Sequence, residues 1–300
     1  VAVGSGGVWK TVNSGTTWQP IADGESFYST GCITIDPNNT SKIWLGTGEN
    51  VGGRHVGIGK GVFVTKDGGK TWTNTVANIP GLPANTWCYH IELSTLEKGT
   101  AYAVFDGHTA NDKTPYAYKT DDFGKTWKSI ITGGVEGVVR NIQVDYENPD
   151  LLFLGTELGL FITMDGGAQW YKYTNNMPAV AVHFIALQKQ TNDLVLGTHG
   201  RGVIIVDDIS PLRELTAENM QKKLHFFNTK PTVIDEEASF SGSFGAETQF
   251  VGYNETTAAQ IKYHLKKRHT HTRSVCIEAT SSQNRHDIDA NRHYIQTNTH

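Results

Sequence analysis

The chain has 300 residues with an apolar fraction of 38% and 10% aromatics, enough to bury a core in one large or two ordinary domains. Its formal charge is −4, with acids and bases interspersed, which leaves no basic stripe for phosphate and argues against a nucleic-acid partner. No run approaches the roughly 18 apolar residues of a membrane-spanning helix, so no membrane span is expected.

The opening "VAVGSGGVW" has no Met, basic leader or apolar signal segment, as in a mature product or a fragment. Glycine is abundant, at 32 residues, and helical periodicity is nearly absent, which favours short strands and tight turns. Cys32, Cys88 and Cys276 are odd in number and irregularly spaced, which argues against a disulfide framework or a zinc site. No metal or cofactor is expected.

The octapeptide "TVNSGTTW" at Thr11–Trp18 returns as "TKDGGKTW" ending at Trp72, "TDDFGKTW" at Trp127 and "TMDGGAQW" at Trp170. The spacing gives a unit of roughly 43 to 55 residues, the length of four short antiparallel strands. Upstream of the later octapeptides stand "CITIDPNNTSKIWLGTG" from Cys32, the looser "HIELSTLEKGTAYAVFDG" from His90, and "NIQVDYENPDLLFLGTE" from Asn141. "FIALQKQTNDLVLGTHG" from Phe184 is a fourth copy. Each reads as an alternating strand, a polar turn and a second strand ending in Gly. A third strand follows, as "GVFVTKD", "YAYKTDD", "GLFITMD" or "GVIIVDD", and the octapeptide turns it into a fourth that begins at Trp.

The octapeptide reads as a fold staple. Asn13, Asp67, Asp122 and Asp165 can accept hydrogen bonds from turn N–H groups. Gly15, Gly69, Gly124 and Gly167 supply positive φ, and Trp18, Trp72, Trp127 and Trp170 pack between sheets. The pattern predicts an all-β propeller segment over residues 1–212, with about four and a half blades, because the first unit is short and "VDDISPLRE" replaces the last octapeptide. Exposed sheet edges and self-association are expected at the N-terminal end.

Beyond it, 213–253 reads as a linker and exit segment in which "TAENMQKKL" is a short helix and "HFFNTKPTVI" an exit strand. Residues 254–268 read as the first strand of a C-terminal β domain. The tail 269–300 holds five of the twelve histidines and lacks Gly and Pro, which suggests a non-native or disordered segment.

The pattern [ST]-x-[DN]-x-G-x-[TQ]-W resembles the Asp-box (BNR) repeat of β-propellers. The closing "GTHGRGVIIVDDISPLREL" is similar to the propeller end of bacterial proteins labelled glycosyl hydrolase or sortilin-like. The resemblance implies a secreted, periplasmic or cell-surface propeller that binds a glycan or a peptide. The alternative it implies is part of a tandem-propeller glycoside hydrolase, with an assembly scaffold as a minor one. Upstream blades of the same parent would complete the ring. A sialidase is disfavoured, since the Arg-Ile-Pro signature is missing: Ile79-Pro80 follows Asn78.

Strand directions put the octapeptides at one end of each blade and the second-to-third-strand loops at the other, where function is expected. That face carries Glu49, Asp106 and Glu157 as candidate acid, base or nucleophile, which glycoside hydrolysis requires at about 5 to 9.5 Å separation. Arg54, His55, Trp87, His90, Arg140, His183, His199 and Arg201 are the candidate ligand-binding residues. Arg54, Arg140 and Arg201 are the sole arginines before Leu212, and a guanidinium fork suits a carboxylate or polyhydroxylated ligand. Pairing of these arginines with the acids between blades is the competing reading.

Overall fold

The computed structural model describes residues 1–49, 57–228 and 260–267. The chain divides into two compact units, one spanning Val1–Thr216 and one beginning at Ala217. The first unit is a β-propeller segment of five consecutive antiparallel sheets. Three have four strands in chain order: β4–β7 (Thr30–Ile35, Ile43–Thr47, Val62–Thr65, Thr73–Asn74), β8–β11 (Trp87–Leu93, Ala101–Asp106, Tyr116–Thr120, Lys128–Ser129) and β12–β15 (Val139–Val144, Leu152–Thr156, Gly159–Thr163, Tyr171–Lys172).

The flanking sheets have three strands each. At one end are β1–β3 (Ala2–Val3, Gly7–Lys10, Gln19–Pro20), and at the other β16–β18 (Ala181–Gln188, Asp193–His199, Val203–Val206). The fourth strands β7, β11 and β15 have two residues each, and the repeat varies in length through its connections, such as 107–115 before β10 against 157–158 before β14. In the first unit a single helical turn, α1 (Ser210–Arg213), stands where the fifth octapeptide would be.

The first strands of successive sheets lie against one another, β4 on β8, β8 on β12 and β12 on β16. The core is therefore a series of layers between sheets rather than one central cluster. Val8, Phe27, Leu45 and Phe63 fill the first layer, and Trp44, Val64, Ile91 and Phe105 the second. Tyr102, Ile142, Leu154 and Phe161 fill the third, and Phe153, Leu160, Ile185 and Leu196 the fourth. Both faces of each central sheet are covered, so the strands read as nearly continuous apolar runs; β5, β6, β13 and β14 are buried at every position.

The four octapeptide turns share one hydrogen-bond scheme. In the second, Thr65 Oγ1 donates to Asp67 Oδ1 at 2.7 Å and accepts from Gly69 N–H at 3.0 Å, while Thr71 N–H and Oγ1 donate to the Asp67 carboxylate at 3.0 and 2.6 Å. Asn13, Asp122 and Asp165 each accept the equivalent backbone bond, from Thr17, Thr126 and Gln169, at 2.9 Å. The donors hold the Asp67 carboxyl below the usual range and that of Asp122 at about 2.

Two of the Trp rings bond to the preceding blade: Trp72 Nε1 donates to the Ile21 carbonyl at 2.9 Å and Trp170 Nε1 to that of Ile130 at 2.7 Å. Gly167, at φ +98°, sits so close to Ile130 that a Cβ would stand 3.0 Å from its Cβ. Trp127 is buried with its N–H unpartnered among the described residues, and Trp18 is 42% exposed on the outer face of the first sheet.

In the second unit, α2 (Ala217–Gln221) precedes β19 (Leu224–Phe226), which pairs antiparallel with β20 (Tyr263–Leu265). The helix and β19 fall within the segment 213–253 read as linker and exit, and β20 within 254–268, read as the first strand of a C-terminal β domain. The expectation for the tail 269–300 lies outside the described residues.

Candidate functional site

The turns between first and second strands accept or donate bonds beside the octapeptides: Gly68 N–H donates to the Ser41 carbonyl at 2.8 Å and Gly166 N–H to that of Asp150 at 2.9 Å. The second-to-third-strand loops therefore occupy the opposite end. Asp106 closes β9, Arg140 opens β12, Glu157 begins the β13–β14 turn, and His199 with Arg201 flanks the β17–β18 turn. All lie on that face.

Asp106 and Arg140 are not free to meet a ligand. The Asp106 side chain is fully buried and takes an ion pair from Arg140 Nη1, whose own side chain is 13% exposed. It also accepts from His108 N–H at 2.8 Å and lies 2.7 Å from His108 Nδ1. Arg140 stacks on the Tyr89 ring with its Cζ 5.1 Å from the centroid. A carboxylate so engaged has no capacity left as an acid or base, which removes Asp106 as a catalytic candidate. The pair instead joins the third and fourth sheets.

Trp87 and His90 also belong to the interior. Trp87 is buried, donates Nε1–H to the Gly57 carbonyl at 2.7 Å and meets His108 edge-on at 5.9 Å. Burial drives the His90 pKa down to about 4, against an opposing backbone bond from the Ile142 side, and its Nδ1 has no partner among the described residues. Arg54 and His55 lie outside the described residues, and Glu49 is half-buried.

What stays open lies between the fourth and fifth sheets. A pocket of about 370 Å³ is lined by Glu157, Leu158, Lys172, Val180, His199 and Arg201, among others. Neither the Glu157 side chain nor the exposed Arg201 makes a hydrogen bond or ion pair with a described residue. Lys172 is held loosely, its Nζ 4.0 Å from Glu136. His199 stacks on His183 with ring centroids 5.4 Å apart, and burial, then the charge of Arg140, then His199 lower the His183 pKa. A carboxylate and a cation on hairpin tips, with Lys172 of β15 and the apolar Leu158 and Val180 also lining the pocket, suit a ligand carrying both hydroxyl or carboxylate oxygens and an apolar face.

Two groups escaped the sequence reading. Arg213, one residue past the arginine count, forms a bidentate bond to Asp145 with Nε–Oδ2 and Nη2–Oδ1 both 2.8 Å, reaches Glu147 at 3.0 Å and covers the Tyr146 ring. It is the octapeptide substitute's anchor to the fourth sheet. Glu92, on the inner strand β8, is bonded only to Gln143 Nε2 across the sheets, and burial lifts its carboxyl to about 7 against that bond. A charged residue at an inner-strand position was the available signal.

No protein-family model matches the chain. In sequence it is similar to a xyloglucanase of Hypocrea jecorina (strain QM6a), 24% identical over 200 residues, which is 55% of this chain and 22% of that protein. Among solved structures it resembles the GH74 enzyme of Niastella koreensis, with TM-score 0.52 and 22% identity over 68% of this chain and 34% of that one. It also resembles the GH74 xyloglucanase from Xanthomonas campestris, with TM-score 0.51 and 14% identity over 71% of this chain and 35% of that one. The structural likenesses establish the β-propeller fold, and the sequence likeness relates it to glycoside hydrolases. The chain spans about a fifth of the curated relative's length.

Proposed function

We propose that this propeller segment binds a glycan or peptide ligand, outside the cytoplasm, on the face opposite the octapeptide turns. The observation that carries the reading is the pocket between the β13–β14 and β17–β18 turns, where Glu157 and Arg201 remain uncommitted while Asp106 and Arg140 are spent on each other. Arg201 supplies the fork for a carboxylate or a vicinal diol, Lys172 a second cation, and Leu158 with Val180 the apolar contact.

The further blades that would complete the ring belong to the same parent. In support, the outer face of the first sheet exposes Val3, Trp9 and Trp18, and that of the last exposes Phe184, Val203 and Ile205. Apolar residues in such number on two sheet faces suit further sheets stacked on them.

The likeness to the Hypocrea jecorina xyloglucanase favours a second reading, in which the parent hydrolyses a polysaccharide of that class and this segment supplies part of its cleft. Glu157 is then the carboxylate to test. The complete parent, offered xyloglucan, would release reducing ends, and a Glu157→Gln parent would lose that activity. Binding to a glycan or peptide with no product formed in either protein supports the binding reading; the absence of both refutes the two together.

A further inference from the structure

Cys32 and Cys88 are 56 residues apart, and cysteine count and spacing alone argue against a cross-link. The fold brings them together. Cys32 lies on β4 and Cys88 on β8, the innermost strands of adjacent sheets. Their Sγ atoms are 4.0 Å apart, and Cys32 Sγ is 3.8 Å from the Cys88 carbonyl oxygen. Gly46 on β5 makes the room: a Cβ there would stand 2.5 Å from Cys32 Sγ and 2.6 Å from Cys88 Sγ. No side chain separates the two sulfurs.

The pair is asymmetric. Cys88 is fully buried and Cys32 only partly. Burial first, and the neighbouring thiol second, hold the Cys88 thiol well above its ordinary value. Cys32, the less buried residue, is the one assigned the first attack on an outside reagent, and Cys88, whose sulfur lies 4.0 Å away, the second.

We infer that Cys32 and Cys88 are a redox pair that closes to a disulfide between the second and third sheets when a small-molecule disulfide such as oxidised glutathione is present. The Cys32 thiol loses its proton to solvent and the thiolate attacks one glutathione sulfur. The reagent's S–S bond breaks, one glutathione leaves as a thiolate, and a mixed disulfide remains. Cys88 then gives up its proton and attacks the Cys32 sulfur, expelling the second glutathione. The two cysteines lose two electrons and two protons in all, and the reagent departs as two thiols. Closure shortens the gap from 4.0 Å to about 2.05 Å, and with glycine at position 46 no side chain there blocks the approach.

The inference is independent of the ligand pocket, which lies two sheets away. It is tested in a Cys276→Ser variant, which leaves these as the chain's two cysteines. After incubation with oxidised glutathione, both thiols should disappear from a count made in denaturant, and the intact mass should fall by two hydrogens. The thermal midpoint should rise by about 5 °C or more and return with dithiothreitol. With Cys88→Ser added, a stable glutathione adduct should accumulate on Cys32. Two titratable thiols after oxidation, or an unresolved adduct in the variant that keeps both cysteines, would overturn the inference.

Discussion

Replacing Asp106 with Asn tests whether the buried pair with Arg140 is structural. The substitution keeps the shape and one acceptor for the His108 N–H but removes the charge facing the guanidinium. Breaking a buried pair by removing one partner costs about 3 to 5 kcal/mol, because the remaining charge stays desolvated. The Asp106 side chain is fully buried and that of Arg140 is 13% exposed, so some water reaches the cation. The lower end of the range, about 3 kcal/mol, is therefore expected, and a domain of this size should lose about 6 to 12 °C in Tm. Denaturant unfolding with an unchanged slope would measure it. Adding Arg140→Met to Asp106→Asn should cost less than about 1 kcal/mol more, since the stranded charge is gone. A single-variant loss under about 1 kcal/mol, or strictly additive effects, would refute the pairing argument.

The same motif should give unequal effects in different places. Trp170→Ala removes a buried ring and its bond to the Ile130 carbonyl and should cost about 3 to 5 kcal/mol, whereas Trp18→Ala, on the outer face, should cost less than about 1 kcal/mol; equal losses in urea midpoints would contradict the layered core. Glu92 titrates near 7 in the fold against an ordinary 4.5, so its protonated form is favoured and its contribution is full below about pH 4.5 and lost as pH rises through 7. The stability difference between Glu92→Gln and the parent should therefore shift in favour of the variant across that window, a comparison in which the opposite contribution of His90 cancels; a flat difference would show that Glu92 is not buried as an acid. Val3→Asp with Trp9→Asp should reduce the self-association expected at the N-terminal end, as read by sedimentation, and unchanged sedimentation would remove the outer face of the first sheet as its cause.

The blades were legible because the octapeptide is a local device. Its Thr, Asp or Asn and Gly each satisfy a bond or a dihedral within eight residues, so Asp67, Asp122 and Asp165 accept the same backbone bond wherever they stand. Which loops share an end was legible too, since strand alternation alone sets it. Side-chain pairing was not. Asp106 and Arg140 are 34 residues apart, and nothing in either stretch shows that one is consumed by the other. Arg140, read as a ligand-binding candidate, is held by its ion pair and its contact with Tyr89, so reversing its charge should lower the melting temperature. Trp87 looked like a ligand platform because a loop precedes it, yet it is the first residue of an inner strand and faces Gly57. Arg213 was passed over because it follows the repeat, although it carries out the anchoring that the missing octapeptide would perform.

The central claim is that a ligand is held between the hairpin tips of Glu157 and Arg201. The direct measurement is a glycan and peptide array probed in parallel with the complete parent protein and with its Arg201→Glu variant, thermal midpoints being matched within about 1 °C as expected for an exposed site. Binding to one glycan or peptide class by the parent, weakened at least tenfold in the variant, is the predicted result. Equal binding by both proteins, or none by either, would contradict it.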